Sequence, residues 1–258
     1  MKKTAQTAAV KSADRVMDIF ELLAETRTPM SLTDIARALN LPPSSAYKLL
    51  HNMKTRGFLE TDPGERLFYL GRKFFEIGTR SMRNSDLTKE FQAIAEEIVA
   101  ELNESVYLSI RHGDKVLYVG EKQSTHPVRF VSHLGMALPL HATAMGKAML
   151  AHLKDEELEA LYPDGVLGAV TERTIRSLAE LKPQLVRIRE EGLAYSRGES
   201  VAGISCVAAP IFGYEGNVIA AMSVSVPDSR LTDELWENMK RAVADGAKRL
   251  SVKMYYKR

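Results

Sequence analysis

The segment Asn40–Pro43 constrains the fold of this chain more than any other feature, because it interrupts a helical pattern. Apolar residues recur at helical spacing on both sides of it: Leu32, Ile35, Ala36 and Leu39 before it, and Ala46, Leu49, Leu50 and Met53 after it. Asn40 can take the left-handed conformation that ends a helix, and the two prolines stiffen the turn that follows. Upstream, Ser31 stands three residues ahead of Asp34, so its hydroxyl can cap a helix start. The sequence therefore predicts two short helices joined by a tight turn.

A further helix and a hairpin flank this pair of helices. The first helix is predicted from apolar residues at helical spacing, namely Ala13, Val16, Met17, Phe20 and Leu23. The third helix runs from about Ser44 to Arg56. After it, the strand-like runs Phe58–Thr61 and Arg66–Leu70 flank Asp62–Glu65, which is a strong turn signal. Three helices followed by a β-hairpin predict a winged helix-turn-helix domain over residues 11–70.

This arrangement predicts DNA binding through the third helix, because a B-DNA major groove about 12 Å wide admits one helix, whose N-terminal end meets base edges. The candidate DNA-binding residues are Ser44, Ser45, Tyr47, Lys48, His51, Lys54, Arg56 and Arg66. Among them, Ser45, Tyr47 and Lys48 are the predicted base contacts. Lys54, Arg56 and Arg66 are the predicted phosphate contacts. The alternative is an ordinary solvated helix face in a protein-interaction domain, which the hairpin directly after the helix disfavours.

Composition limits the classes of protein to consider. The chain has 258 residues, 45% hydrophobic and 26% charged, which is typical of a globular protein with room for two domains. Its formal net charge is only +2, so DNA binding requires a local basic patch. Cys206 is the single cysteine, which excludes an intrachain disulfide and fits a reducing cytoplasm. Residues 1–10 are expected to form a flexible basic arm, since they lack the apolar stretch of a signal peptide or membrane anchor.

Beyond the hairpin, the sequence predicts a larger α+β domain. A helical pattern extends from Gly71 to about Asn103 with its best break near residues 84–86, so we expect a linker helix at 71–85 and a second domain at 86–258. The strand-like segments are Val106–Ile110, Val116–Val119, the region of Ala194, Ile204–Ile211 and Val218–Val226. The helix-like segments are Thr143–His152, Asp155–Tyr162, Leu178–Glu191 and Thr232–Lys253. This order favours a mainly antiparallel sheet flanked by helices.

Several stretches together resemble the IclR family of bacterial transcription regulators over nearly the whole chain. The N-terminal similarity lies in KSADRVMDIFELLA and SLTDIARALNLPPSSAYKLLHNMKTRGFLE. More specific are LPLHATAMGKAMLA at 138–151, GISCVAAPIF at 203–212 and GNVIAAMSVSVP at 216–227. The resemblance implies a GAF-like effector-binding domain, joined by a linker helix to the DNA-binding domain, in a dimer or dimer of dimers on double-stranded operator DNA. It implies a repressor or activator without enzyme activity.

The resemblance also implies where an effector binds. Family members that bind small organic acids use a cysteine on one strand, two alternating serines on the next strand and backbone amides at a helix start. The corresponding positions here are Cys206, Ser223, Ser225, the amides of Ala144 and Met145, the apolar Phe130, and Ser196, which matches an aspartate in some of these pockets. Independently, Ser223 and Ser225 lie two apart in a strand, so both hydroxyls leave one face. A helix start favours an anion, so we expect a carboxylate or aromatic acid.

Other interpretations of these residues remain open. An enzyme with Cys206 as nucleophile and His141 as base is the alternative class, although the apolar flanks of Cys206 predict burial. A lone strand cysteine is usually a small buried hydrophobic residue, and strand serines often bond to each other or to the backbone. Arg129 either neutralises a ligand acid or is a solvated strand residue. A metal sensor is disfavoured by one cysteine and scattered histidines, and we expect neither a metal nor a cofactor.

Overall fold

The structure is a computed structural model that describes residues 10–26, 28–77 and 86–255. The chain divides into two compact units, residues 1–84 and 85–258. Residues 1–9 of the predicted arm lie outside the described residues. Of the predicted linker helix, residues 73–77 are helical and residues 78–85 also lie outside the described ranges. The domain limits drawn from the sequence therefore stay predictions.

In residues 10–26 and 28–71, the first unit contains three helices and a small sheet. Its elements are α1 (Lys11–Thr26), β1 (Met30–Ser31), α2 (Leu32–Ala38), α3 (Pro43–Thr55), β2 (Leu59–Thr61) and β3 (Leu67–Leu70). The backbone N–H of Asp34 donates to Ser31 Oγ at 3.2 Å, so the predicted cap begins α2. Asn40 has a φ of 50°, the left-handed conformation predicted for the end of that helix. The winged helix-turn-helix fold predicted from the sequence is confirmed.

One apolar core holds the first unit together, with residues from all three helices and the hairpin. Ile19 of α1 and Leu50 of α3 are completely buried in it. The sheet has the order β1-β3-β2 with antiparallel pairing throughout. The sequence does not predict β1, because Met30 and Ser31 are too few residues to show alternation. This strand exists through its pairing with β3.

In residues 86–255, the second unit is a six-stranded antiparallel sheet with helices on both faces. The strands are β4 (Ser105–His112), β5 (Lys115–Lys122), β6 (Ala137–Pro139), β7 (Ala194–Arg197), β8 (Ile204–Phe212) and β9 (Val218–Pro227). The helices are α4 (Asp86–Leu102), α5 (Ala144–Leu150), α6 (Asp155–Leu161), α7 (Leu178–Glu191) and α8 (Asp233–Tyr255). The strand order is β6-β5-β4-β9-β8-β7. The predicted α+β class with a mainly antiparallel sheet is confirmed.

The two faces of this sheet carry different residues because side chains alternate along each strand. Met222 and Val224 of β9 pack with apolar residues of α4 and α8. Ser223 and Ser225 of the same strand point to the opposite face, which α5, α6 and α7 cover. At the start of α5, a Cβ on Gly146 would lie 2.1 Å from the carbonyl oxygen of Leu140. Glycine is therefore required for α5 to begin directly against the preceding turn.

Candidate functional site

The outer side of α3 is polar and solvent-exposed. Its exposed residues are Ser44, Tyr47, Lys48 and His51, with Ser45 half-buried. The ring of Tyr47 is 58% exposed and stacks on His51 with 5.8 Å between ring centroids and 9° between planes. Pro42 caps α3 without a side-chain hydrogen bond, Pro43 has no N–H, and the N–H of Ser45 donates to the carbonyl oxygen of Pro42, so only the N–H of Ser44 remains available in the first turn. Polar side chains and this one backbone donor thus lie at the same end of the helix.

Lys54 makes a contact that differs from its predicted role. Its Nζ donates to Glu65 Oε1 of the wing turn at 2.7 Å, and this ammonium holds the pKa of Glu65 below its usual value. In this structure Lys54 therefore joins α3 to the wing, and its charge is already neutralised. Lys48 is exposed and makes no ion pair with any described residue. The phosphate contact predicted for Lys54 stays a prediction.

The wing turn is held by a carboxylate. Asp62 Oδ1 accepts hydrogen bonds from the backbone N–H groups of Arg66 at 2.7 Å and Leu67 at 2.8 Å. The bond from Leu67 contributes most to lowering the pKa of Asp62. The side chain of Arg66 is exposed beside this turn. The guanidinium of Arg56 lies 5.7 Å from the centroid of the Phe58 ring, at the base of the wing.

In the second unit, a cavity lies between the sheet and the start of α5. Its empty space, including the opening to solvent, is about 310 Å³. The lining residues are Tyr118, Phe130, Thr143, Ala144, Met145, Ser200, Val201, Ile204, Cys206, Ser223 and Ser225. Six of the seven residues named from the sequence resemblance are among them, and Ser196 is not. The distant segments that carry this resemblance therefore meet around one cavity.

The polar groups of the cavity wall are electrically neutral. Cys206 Sγ lies 3.1 Å from Ser225 Oγ, and burial raises the pKa of the thiol to about 11. The side chain of Ser223 is 2% exposed, and its hydroxyl has no hydrogen-bond partner among the described residues. At the start of α5, Thr143 Oγ1 accepts from the N–H of Gly146 at 3.0 Å. That cap leaves the N–H groups of Ala144 and Met145 to other partners.

A buried ion pair borders the cavity, and sequence reasoning missed it. Lys147 of α5 is 1% exposed, and its Nζ donates to the two carboxylate oxygens of Glu199 at 2.7 and 2.9 Å. Desolvation lowers the pKa of Lys147, and the charge of Glu199 opposes that shift. Glu199 directly precedes Ser200 and Val201, so the pair fixes two residues of the cavity wall. A lysine inside the apolar run AMGKAML was the available signal, because nearly every residue of so short a buried helix contacts the core.

Three residues that the sequence analysis considered as candidates do not line the cavity. Ser196 Oγ donates to the carbonyl oxygen of Ala142 at 3.2 Å and is buried outside the cavity lining. Arg129 lies outside any strand, and its guanidinium bonds to Gln123 Oε1 and the carbonyl oxygen of His126. His141 Nε2 bonds to the carbonyl oxygen of Gly168 at 2.8 Å, and the residue is not part of the cavity wall that contains Cys206.

Tyr118, Ser200 and Val201 line the cavity although the sequence did not single them out. For Tyr118 a signal exists, because it alternates with Val119 on β5 and shares a face with Val116. The loop residues have no such periodicity. Among the helices of residues 10–26, 28–77 and 86–255, none is long and apolar enough to span a membrane.

Comparison with known proteins adds independent evidence. The family model for the bacterial transcriptional regulator IclR C-terminal domain matches residues 79–252, and the model for the IclR helix-turn-helix domain matches residues 12–63. The chain is 32% identical over 248 residues to the HTH-type transcriptional regulator BhcR of Paracoccus denitrificans, covering 96% of this chain and 88% of BhcR. It is also 32% identical over 248 residues to the HTH-type transcriptional repressor AllR of Salmonella typhi, covering 96% and 91%.

Among solved structures, the chain is similar to an IclR homolog from Microbacterium hydrocarbonoxydans complexed with 4-hydroxybenzoate. The TM-score is 0.79 at 25% identity, covering 94% of this chain and 99% of that one. Both the fold and the sequence thus match the same group of proteins along almost the entire length.

Proposed function

The chain belongs to the IclR family of bacterial transcriptional regulators, and we propose that it binds operator DNA through α3 and the wing under control of an organic acid. In this proposal the acid occupies the cavity beneath α5 in the second unit. The protein acts in the cytoplasm as a homodimer or dimer of dimers, and it catalyses no reaction. The observation that carries the proposal is the convergence of Cys206, Ser223 and Ser225 with the start of α5 around one buried cavity.

The chemistry of the wall supports an acid as the effector. Hydroxyl groups of Ser223 and Ser225 and the N–H groups of Ala144 and Met145 are all donors. With seven residues, α5 has a weak macrodipole, so these individual donors carry the interaction with a carboxylate. Phe130 and Tyr118 add aromatic surface for the carbon skeleton.

The size of the cavity supports a ligand that reshapes it. Although its space is about 310 Å³ with the opening included, the side chains leave room inside for only about one water molecule. Flexible side chains such as Met145 must therefore move when an acid enters. A ligand changes operator binding only if it prefers one arrangement of the DNA-binding domains, and this rearrangement of the wall supplies a physical origin for such a preference.

On the DNA side, the polar end of α3 fits a major groove, and Lys48 and Arg66 supply positive charge toward the backbone. One such domain buries little surface, so two copies on half-sites about 34–36 Å apart, or a multiple of that, are needed for useful specificity. The high pKa of Cys206 argues against the alternative of a cysteine enzyme, because a nucleophilic cysteine must be a thiolate.

The test is a bulky substitution in the cavity, Ser223→Leu. Calorimetry with a panel of aliphatic and aromatic acids is expected to show loss of binding, while fluorescence anisotropy with promoter DNA gives wild-type affinity. Ser205→Leu is the matched control, since Ser205 is equally buried on β8 but bonds to Asp228 outside the cavity. Ser223→Ala, which removes one hydroxyl without added bulk, should weaken acid binding roughly 3- to 10-fold. Normal acid binding by Ser223→Leu would refute the site.

A further inference from the structure

Tyr118 carries a hydroxyl at the cavity for which the described residues provide no hydrogen-bond partner. The residue is 5% exposed and lines the cavity, yet its hydroxyl makes no hydrogen bond to any described residue. The oxygen is not among the fully buried side-chain atoms that lack a partner, and the side chain lines the cavity. Such a hydroxyl is available to a ligand, which would supply the hydrogen bond that the group needs once it is enclosed.

Its neighbour Tyr107 provides the contrast. The two rings pack edge to face with 5.7 Å between centroids. Tyr107 is also buried, but its hydroxyl donates to the carbonyl oxygen of Phe130 at 2.5 Å. Packing therefore explains both rings, while only the Tyr107 hydroxyl has a structural role.

We propose that Tyr118 is a ligand-binding residue, whose hydroxyl donates a hydrogen bond to a second, uncharged oxygen of the effector. This inference rests on the proposed function, because it concerns the same cavity. It narrows the effector class to monocarboxylic acids that also carry a hydroxyl, oxo or ether oxygen.

The sheet register sets the distance between the two ends of such a ligand. Tyr118 on β5 pairs with Ser109 on β4, which pairs with Ala221 on β9. Since neighbouring strands lie about 4.8 Å apart, the backbone of Tyr118 is about 10 Å across the sheet from β9, the strand of Ser223 and Ser225. Tyr118 and these serines point to the same face of the sheet. The donors thus lie on two sides of one cavity and match a ligand with a polar atom at each end.

The charges around the cavity disfavour a second carboxylate at Tyr118. No lysine or arginine is among the residues that line the described cavity, and the nearby ammonium of Lys147 is already paired with Glu199. Burial raises the pKa of Tyr118 above its usual value, which keeps the phenol a neutral donor. A second anion facing one neutral donor would be poorly compensated, whereas a neutral oxygen would be well matched.

Tyr118→Phe tests the assignment, because it keeps the ring and removes only the hydroxyl, and Tyr107→Phe is the matched control. Calorimetry on the full chain uses two pairs of probes, benzoate with 4-hydroxybenzoate and pentanoate with 5-hydroxypentanoate. We expect wild type to bind the oxygenated member of at least one pair more tightly. Tyr118→Phe should lower the affinity for the oxygenated acid roughly 3- to 10-fold and leave the affinity for its unsubstituted counterpart unchanged.

A second readout needs no ligand. Tyr118→Phe should leave the thermal midpoint of the ligand-free protein unchanged or slightly raised, since no hydrogen bond is lost. Tyr107→Phe should lower it, because the carbonyl of Phe130 loses its donor. If Tyr118→Phe lowered the affinity for both members of a pair equally, or for neither member, the role of Tyr118 would be overturned. The proposed function would remain intact. If wild type binds none of the four acids, the effector class proposed above fails, and the assignment of Tyr118 fails with it.

Discussion

The outer side of α3 and the cavity beneath α5 use the same residue types, serine, tyrosine and lysine, in opposite environments. On α3 these residues are exposed, namely Ser44, Tyr47 and Lys48. In the second unit they are buried around or beside the cavity, namely Ser223, Tyr118 and Lys147. Exposed charge suits a polyanion that is never desolvated completely, while buried neutral donors suit a small acid that is enclosed. Residue type alone therefore does not indicate the partner, and burial must be known as well.

The two lysines show this difference most clearly. Lys48 is exposed, and in the proposed DNA complex it would neutralise a phosphate in a contact that salt screens. Lys147 is buried and paired with Glu199, so its charge is compensated inside the protein. The following predictions test this contrast, beginning with the largest expected effect.

Glu199→Gln should destabilise the second unit by about 3–5 kcal/mol, because it leaves the buried ammonium of Lys147 without its carboxylate. Urea unfolding followed by fluorescence measures this effect, since Trp236 is the single tryptophan of the chain and lies in the second unit. The double variant Lys147→Met with Glu199→Gln should recover most of the loss, because the unpaired charge is removed. A neutral effect of Glu199→Gln would show that the pair is not buried in solution.

The pH dependence of the Glu199→Gln variant follows from the same pair. Without Glu199, the lowered pKa of Lys147 falls further below its ordinary value. Between these two values the unfolded chain binds more protons than the folded chain, so the free energy of unfolding rises with pH. The penalty measured at pH 7 should therefore shrink by pH 9.5. A penalty that is constant over this range would contradict the assignment to Lys147.

Lys48→Ala should weaken operator binding and reduce the slope of log affinity against log salt by about 1, because one phosphate contact is lost. Lys54→Ala is the internal comparison, since Glu65 already neutralises Lys54. It should change the slope less than Lys48→Ala, although it loosens the wing. Anisotropy titrations with promoter DNA at several salt concentrations provide the measurement. An unchanged slope for Lys48→Ala would remove this residue from the interface.

The sequence predicts the framework of both sites because that framework depends on local patterns. Helical spacing, the Asn40–Pro43 turn and the turn after Arg56 locate α3, and strand alternation places Ser223 and Ser225 on one face. What the sequence does not predict depends on tertiary pairing. Lys54 meets Glu65 across the wing, and Lys147 meets Glu199 from a distant loop.

Ser196 shows the limit of carrying a position over by resemblance. It is aligned with Cys206 in the β7–β8 register, as expected for a neighbour of the pocket, but its hydroxyl is bonded to Ala142. Tyr118 shows the opposite case, in which a cavity residue has no signature beyond alternation on β5. Which buried hydroxyls are already bonded depends on three-dimensional contacts that no sequence period encodes.

Cys206→Ser should have the smallest effect, changing the affinity for a bound acid by no more than about threefold, because a hydroxyl replaces a group that is also neutral. With a pKa of about 11, roughly one Cys206 thiol in ten thousand is ionised at pH 7. Since it is the single cysteine, alkylation of the whole protein by iodoacetamide reports on the cavity alone. Alkylation should be slow at pH 7 and rise about tenfold per pH unit toward pH 10, because only the thiolate reacts. Rapid alkylation at pH 7 would instead indicate an ionised, reactive thiol. It would contradict the view that the cavity wall is neutral, in contrast to the charged outer side of α3.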